Sequence, residues 1–137
     1  MYKRILILLC LSSGLAPALT ASVAAGEPVV VMAAGAAPLT KDQVAQVYLG
    51  RSNSLKPLDL PDSNPLRDEF YKGATDRDAA QVKAVWSRII FTGQGQPPKE
   101  LADAAAVKRA VASDPKMVGY INKSDVDATV KVVLSLH

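Results

Sequence analysis

The sequence feature that most constrains the fold is an unbroken apolar run near the start, Pro28-Val29-Val30-Val31-Met32-Ala33-Ala34. A β-branched run without polar alternation is typical of a strand covered on both of its faces. A sheet with helices on either side provides such an environment. The run therefore predicts an interior strand over residues 28–34 of an α/β protein.

Helix signals follow this strand. Thr40-Lys41-Asp42-Gln43 is a capping box, and Gly50 is a typical residue just after a helix end. A second helix is predicted to start at Asp78 and to bury one face, which carries Val82, Val85, Trp86, Ile89 and Ile90. Because Trp86 lies inside this apolar stripe, core packing is the preferred interpretation and ligand stacking the less common alternative. Asp103–Ser113 is predicted as a further helix.

Further strands are predicted at Leu58–Leu60, Met117–Ile121 and Thr129–Leu134. Strands that alternate with helices indicate an α/β fold. The fold class predicted from the sequence is α/β, a single three-layer domain with a mixed sheet flanked by helices.

The first residues are predicted to be a secretory signal peptide. Lys3 and Arg4 form a charged start, Ile5–Leu11 an apolar stretch, and Val23-Ala24-Ala25 a small-residue cleavage site. Cys10 is preceded by Leu9, where a lipoprotein signal would have a small residue. We therefore expect soluble export to the periplasm or the exterior, with no membrane insertion after the signal is cleaved.

Two segments follow from this prediction, a signal peptide at 1–25 and an α/β domain at 26–137. Without Lys3 and Arg4 the net charge falls from +3 to +1, so no nucleic-acid partner is expected. The single cysteine is lost with the signal, and the only histidine is the terminal His137. Ser-His and Cys-His nucleophiles cannot be assembled, so no enzyme, metal site or cofactor is predicted.

One stretch carries the strongest functional signal, Leu58-Asp59-Leu60-Pro61-Asp62-Ser63-Asn64-Pro65-Leu66-Arg67-Asp68-Glu69-Phe70. Leu58 and Leu60 alternate with polar residues in a short strand. Asn64 is the predicted N-cap of a helix whose first residue is Pro65. Because Leu66 and Phe70 are four residues apart, both are expected to face the core.

Arg67 lies at the third helical position, where a cation adds to the positive end of the helix dipole. One interpretation is an oxyanion held by Ser63, Asn64, Arg67 and the first-turn amides. The alternative is that Ser63 and Asn64 only cap the helix, while Arg67 faces solvent, Asp62 or Asp68. Local sequence leaves both open.

Several segments together resemble a known group of proteins, namely Leu39-Thr40-Lys41-Asp42-Gln43-Val44, Tyr48-Leu49-Gly50, Asp62 through Tyr71, Trp86 through Pro98, and Val118-Gly119-Tyr120-Ile121. They resemble the small exported proteins of the phosphate-binding-protein-like group. These are similar to the substrate-binding component of phosphate ABC transporters, with a type II periplasmic binding fold.

The resemblance implies that Ser63, Asn64 and Arg67 correspond to the turn that holds phosphate in the full-length binders. It also implies phosphate or a related oxyanion as ligand, and an ABC permease or another periplasmic protein as partner. Asn64-Pro65 stands where those proteins have a glycine-threonine pair. The full-length proteins close two lobes around the ligand, and this chain has room for about one.

Two functions therefore stay open. The first is an extracytoplasmic solute-binding-like protein that binds phosphate or a similar oxyanion for an ABC-type uptake system. The alternative is a single binding-protein lobe that acts as an interaction module without tight ligand binding of its own.

Overall fold

The computed structural model describes residues 26–136. Five strands alternate with four helices: β1 (Pro28–Ala33), α1 (Lys41–Tyr48), β2 (Lys56–Asp59), α2 (Pro65–Thr75), α3 (Ala79–Phe91), β3 (Lys99–Glu100), α4 (Ala104–Ser113), β4 (Met117–Asn122), a short 3-10 helix (Lys123–Asp125) and β5 (Val130–Ser135). The predicted signal peptide and His137 lie outside the described residues, so the cleavage and the domain boundaries stay predictions.

The strands form one mixed sheet in the order β3-β2-β4-β1-β5. β1 pairs antiparallel with both β4 and β5, whereas β2 is parallel to β3 and to β4. Val29, Val30 and Val31 are buried, because β1 has a strand on each side and apolar packing on each face. The predicted interior strand is confirmed.

Helices cover both faces of the sheet. On one face α4 lies so close to β4 that a Cβ atom added to Gly119 would be 2.6 Å from the Val107 side chain. On the other face Tyr120 stacks on Phe70 of α2, with ring centroids 3.9 Å apart. Since neighbouring strand residues point to opposite faces, these contacts define three layers. The predicted fold class, α/β with a mixed sheet between helices, is confirmed.

The core is centred on aromatic side chains. Tyr48, Phe70, Tyr71 and Tyr120 contact one another and are fully buried. Trp86 of α3 packs beside them, and its indole N–H donates a 2.9 Å hydrogen bond to the Tyr48 carbonyl. The prediction that Trp86 belongs to the core is confirmed.

The helix ends match the predicted caps. Thr40 and Gln43 form the capping box of α1, and Asp78 and Gln81 form that of α3. Gly50 has φ +73°, the left-handed conformation that glycine adopts without strain after a helix.

Two details differ from the expectation. Ile90 was predicted to face the core but is 52% exposed, because the buried stripe of α3 consists of Val82 and Trp86, with Val85 and Ile89 half-buried. The two-residue strand β3 was not predicted, since its lysine and glutamate carry no strand signal. Among residues 26–136, no helix combines the length and the apolar composition that a membrane crossing requires.

Candidate functional site

A cleft of about 270 Å³ opens where the parallel strands β2 and β3 end. Its walls come from these strand ends, the start of α2, the middle of α3 and the loop before β3. Ligands of open α/β sheets bind in the crevice outside the carboxyl ends of the strands. We call this the strand-end cleft; its charged lining residues are Asp59, Asp62, Arg67, Lys83 and Glu100.

Arg67 is the central cation of the strand-end cleft, and its side chain is only 14% exposed. Its Nη1 donates to the Leu60 carbonyl at 3.0 Å. The same nitrogen lies 3.0 Å from Asp62 and 3.5 Å from Glu100. Nη2 lies 3.6 Å from Asp59. Burial alone would lower the pKa of Arg67, but the nearby carboxylates, Asp59 foremost, raise it above its ordinary value. Arg67 therefore stays charged.

Asp59 is a buried carboxylate that fixes the floor of this cleft. The Tyr71 hydroxyl donates to its Oδ2 at 2.5 Å, the Tyr120 hydroxyl donates to its Oδ1, and the Leu60 N–H donates to Oδ1 at 2.9 Å. Burial, and then the charge of Asp59, raise the pKa of Tyr71 and of Tyr120 well above 10.0. Both tyrosines therefore stay protonated and donate to Asp59.

Asp62 lies between two cations. Its Oδ1 is 3.0 Å from Arg67 Nη1, and its Oδ2 is 3.6 Å from the Lys83 ammonium of α3. The Asp62 side chain is 66% exposed, unlike the buried Asp59. One exposed carboxylate, Asp62, thus bridges Arg67 at the start of α2 and Lys83 on α3.

Of the three residues predicted to hold an oxyanion, one lines the strand-end cleft and two lie in the loop before α2. Arg67 lines the strand-end cleft, whereas Ser63 and Asn64 are not among its lining residues. Asn64 is the N-cap of α2, as predicted, because its Oδ1 accepts from the Leu66 N–H at 3.0 Å. Of the two carboxylates proposed as partners of Arg67 in the capping-only alternative, Asp62 contacts it. Asp68 instead accepts from the Ala79 N–H and pairs with Lys72.

The first-turn amides of α2 already have partners. Pro65 has no N–H, the Leu66 N–H is capped by Asn64, and the Arg67 N–H donates to the Asn64 carbonyl at 3.1 Å. An anion at this helix start would therefore be held by side chains rather than by these amides. Oxyanion binding by Ser63, Asn64 and Arg67 stays a prediction.

The cleft wall includes four residues that were not predicted from the sequence as part of a site: Asp59, Tyr71, Lys83 and Glu100. Asp59 is the polar residue that alternates with Leu58 and Leu60, but an inner strand of a sheet covered on both faces buries both sets of side chains. The available signal was the hydroxyl of Tyr71, next to the core residue Phe70, since a buried tyrosine hydroxyl requires a partner.

One polar atom of the cleft has no partner. Within the part of the chain that the structure describes, the Arg67 Nε is buried and forms no hydrogen bond. A buried donor without an acceptor is uncommon, so the hydrogen-bonding capacity of Arg67 is not fully used by the residues around it.

A sheet of this order, covered on both faces and carrying its cleft at the strand ends, is the fold of one lobe of a periplasmic binding protein. It is similar to an ABC-type phosphate transport receptor from Vibrio cholerae, at 15% identity and a TM-score of 0.61, over 79% of this chain and 45% of that one. It is also similar to a putative phosphate ABC transporter substrate-binding protein with bound phosphate from Clostridium perfringens, at 17% identity and a TM-score of 0.62, over 79% of this chain and 44% of that one.

The matched part of this chain therefore covers less than half of each of these two structures. At such low identity the likeness establishes the fold. No family model and no curated protein matches the sequence.

Proposed function

We propose that the protein is an extracytoplasmic solute-binding protein that binds phosphate or a similar oxyanion at Arg67 for an ABC-type uptake system. The observation that carries the proposal is the largely buried Arg67 guanidinium in the strand-end cleft, with an unpartnered Nε. The two similar structures named above, a phosphate transport receptor and a putative substrate-binding protein with bound phosphate, support the same ligand class.

The chemistry of Arg67 suits this ligand. A guanidinium presents several N–H groups in a rigid fork, which matches two oxygens of a phosphate. Asp62 and Glu100 are exposed carboxylates that contact the Arg67 guanidinium. An incoming anion could take their place as the acceptor of its N–H groups. Asp59 is held by two tyrosines and keeps the guanidinium in place while that exchange occurs.

Ser63 and Asn64 complete the proposed site from the loop before α2. The Asn64 side chain uses its oxygen for the helix cap, and its amide nitrogen forms no hydrogen bond within residues 26–136. The Ser63 hydroxyl is exposed. Both are donors that reach an oxyanion only if the loop moves toward the cleft. We propose that the role is binding rather than catalysis, after export directed by residues 1–25.

Calorimetric titration of residues 26–137 with phosphate tests the proposal. A charge-assisted contact contributes about 1.5–3 kcal/mol, so Arg67→Ala should weaken phosphate binding about 10- to 100-fold. Arg67→Lys keeps the charge but loses the fork and should also bind less tightly. Arg109→Ala is the matched control, because Arg109 is an exposed arginine on α4, across the sheet from the cleft. Equal phosphate affinity in wild type and Arg67→Ala would contradict the proposal.

An interaction module is the second candidate, and one observation favours it. At the end of α3, Phe91 is 92% exposed and Ile90, which lines the strand-end cleft, is 52% exposed. Aromatic side chains are enriched at protein–protein interfaces, and Phe91 lies directly beside Ile90 on this surface. If wild type, Arg67→Ala and Arg109→Ala all fail to bind phosphate, this candidate replaces the first.

A further inference from the structure

We propose that Lys83 is the second cation of the oxyanion site, and that Asp62 is an internal anion which a ligand must displace. The inference rests on the proposed function and adds two residues to it. Neither Asp62 nor Lys83 was assigned to the site from the sequence. Both follow from the position of the Asp62 carboxylate between two cations of the strand-end cleft.

The geometry of Asp62 shows where an oxyanion fits. Its two oxygens face different cations, with Oδ1 at 3.0 Å from Arg67 Nη1 and Oδ2 at 3.6 Å from Lys83 Nζ. A carboxylate that bridges two cations occupies the place that two oxygens of a phosphate would take. Arg67 comes from the first turn of α2 and Lys83 from the second turn of α3, so the two helices fix the spacing of the cations.

Charge explains why Asp62 must leave. Asp59, Asp62 and Glu100 lie near Arg67, and Asp62 also lies near Lys83, so the cleft has three carboxylates for two cations. A phosphate added to this set would be repelled. Asp59 cannot leave, because it is buried and holds hydrogen bonds from Tyr71 and Tyr120.

Of the two exposed carboxylates, Asp62 contacts both cations, whereas Glu100 of β3 contacts Arg67. The Asp62 side chain is exposed and lies in the loop between β2 and α2. Because the Asp62 side chain is itself exposed, releasing it into solvent disturbs the protein less than releasing the buried Asp59 would. Competition with Asp62 should therefore set the affinity for phosphate, and should make the wild-type protein a weaker binder than its two cations would allow.

Isosteric variants test this competition by calorimetry with inorganic phosphate. Asp62→Asn removes the internal anion and should tighten phosphate binding about tenfold, which corresponds to about 1.4 kcal/mol. Asp125→Asn changes net charge equally at an exposed aspartate of the 3-10 helix and should leave the affinity unchanged.

The role of Lys83 is tested in the Asp62→Asn background, where Lys83 has lost its own partner. Lys83→Met should then weaken phosphate binding severalfold. Lys72→Met is the control, because Lys72 is an exposed lysine of α2 whose partner is Asp68. Circular dichroism of each variant establishes that it is folded.

The outcomes separate this inference from the proposed function. Arg67-dependent phosphate binding in wild type with equal or weaker binding in Asp62→Asn would overturn the inference and leave the proposed function intact. Binding by Asp62→Asn that is tighter than that of wild type and that depends on Lys83 supports the inference. Absence of binding in wild type and in Asp62→Asn would overturn both.

Discussion

At the scale of single residues, the position of Arg67 is electrostatically unfavourable, and a neighbouring carboxylate compensates for it. A cation in the first turn of a helix is unfavourable, because the dipole is already positive there. The buried carboxylate of Asp59 lies 3.6 Å away and compensates that charge, and the Leu60 carbonyl accepts from the same side chain. Arg67 is therefore part of the core polar network as well as a candidate ligand residue.

Replacing Arg67 should destabilise the protein. In the capping-only alternative Arg67 could face solvent, and its removal would then hardly change stability. The structure instead pairs Arg67 with the buried Asp59, and removing one partner of a buried ion pair leaves the other charge uncompensated. We expect Arg67→Ala to lower the free energy of unfolding by about 3 kcal/mol, the low end for such pairs, because three hydrogen bonds to Asp59 remain. Asp62→Asn should lower it by less than about 1 kcal/mol. Equal urea midpoints for the two variants would refute this assignment.

Trp86 gives a second prediction at this scale. Its side chain is buried between α1 and α3 and donates to the Tyr48 carbonyl. Trp86→Ala should lower the free energy of unfolding by about 3–5 kcal/mol, since it leaves a large cavity and an unpaired carbonyl. Phe91→Ala is the matched aromatic control and should change it by less than about 0.5 kcal/mol. A denaturant midpoint that Trp86→Ala leaves unmoved would exclude the core position.

At the scale of elements, the helices were predictable because their signals are local. The capping boxes of α1 and α3 lie within four residues each, and the Asn64-Pro65 start of α2 is read directly from neighbours. Strand β3 was not predictable, because Lys99 and Glu100 become a strand only by pairing with β2. Such pairing depends on tertiary structure, which no local pattern contains.

The cap of α2 is testable by itself. Asn64 Oδ1 accepts from the Leu66 N–H, so Asn64→Ala should cost about 1 kcal/mol of stability, while Asn64→Asp should retain the cap. Ser63→Ala, one residue earlier and exposed, should cost almost nothing. Thermal or urea unfolding of the three variants measures the difference. Similar losses for Ser63→Ala and Asn64→Ala would argue against Asn64 as the capping residue.

At the scale of the whole molecule, the cleft illustrates what the sequence could and could not predict. Its charged residues come from two strands, a loop and two helices that are up to 41 positions apart, from Asp59 to Glu100. Only Arg67 has a local anomaly that draws attention, a cation at a helix start. Asp59, Lys83 and Glu100 look like ordinary polar residues until the fold brings them together.

The buried tyrosines should make the stability of the fold depend on pH above about 10. Burial raises the pKa of Tyr48, Tyr71 and Tyr120 above 10.0, with the charge of Asp59 as the second cause. Below pH 10 both folded and unfolded chains hold these protons. Above it the unfolded chain releases them first, so stability should fall by about 1.4 kcal/mol per pH unit for each tyrosine.

Urea midpoints between pH 8 and 11.5, with absorbance at 295 nm as the measure of tyrosinate, test this pH dependence. Tyr71→Phe removes one of the three groups and should reduce the slope by about a third. Tyrosinate that forms near pH 10 while the protein is still folded would show that these hydroxyls are accessible to solvent.

The pairing of β1 also determines when the protein can fold. Its two neighbours in the sheet, β4 and β5, are formed by residues 117–122 and 130–135, about a hundred positions further along the chain. Contacts between such distant segments slow folding, because a long loop must close before they form. Until residues 117–135 are available for pairing, the most apolar strand has no partner and is open to aggregation. Folding of the sheet therefore requires residues 117–135, and a truncation that removes Val130–Ser135 would leave β1 as an exposed edge.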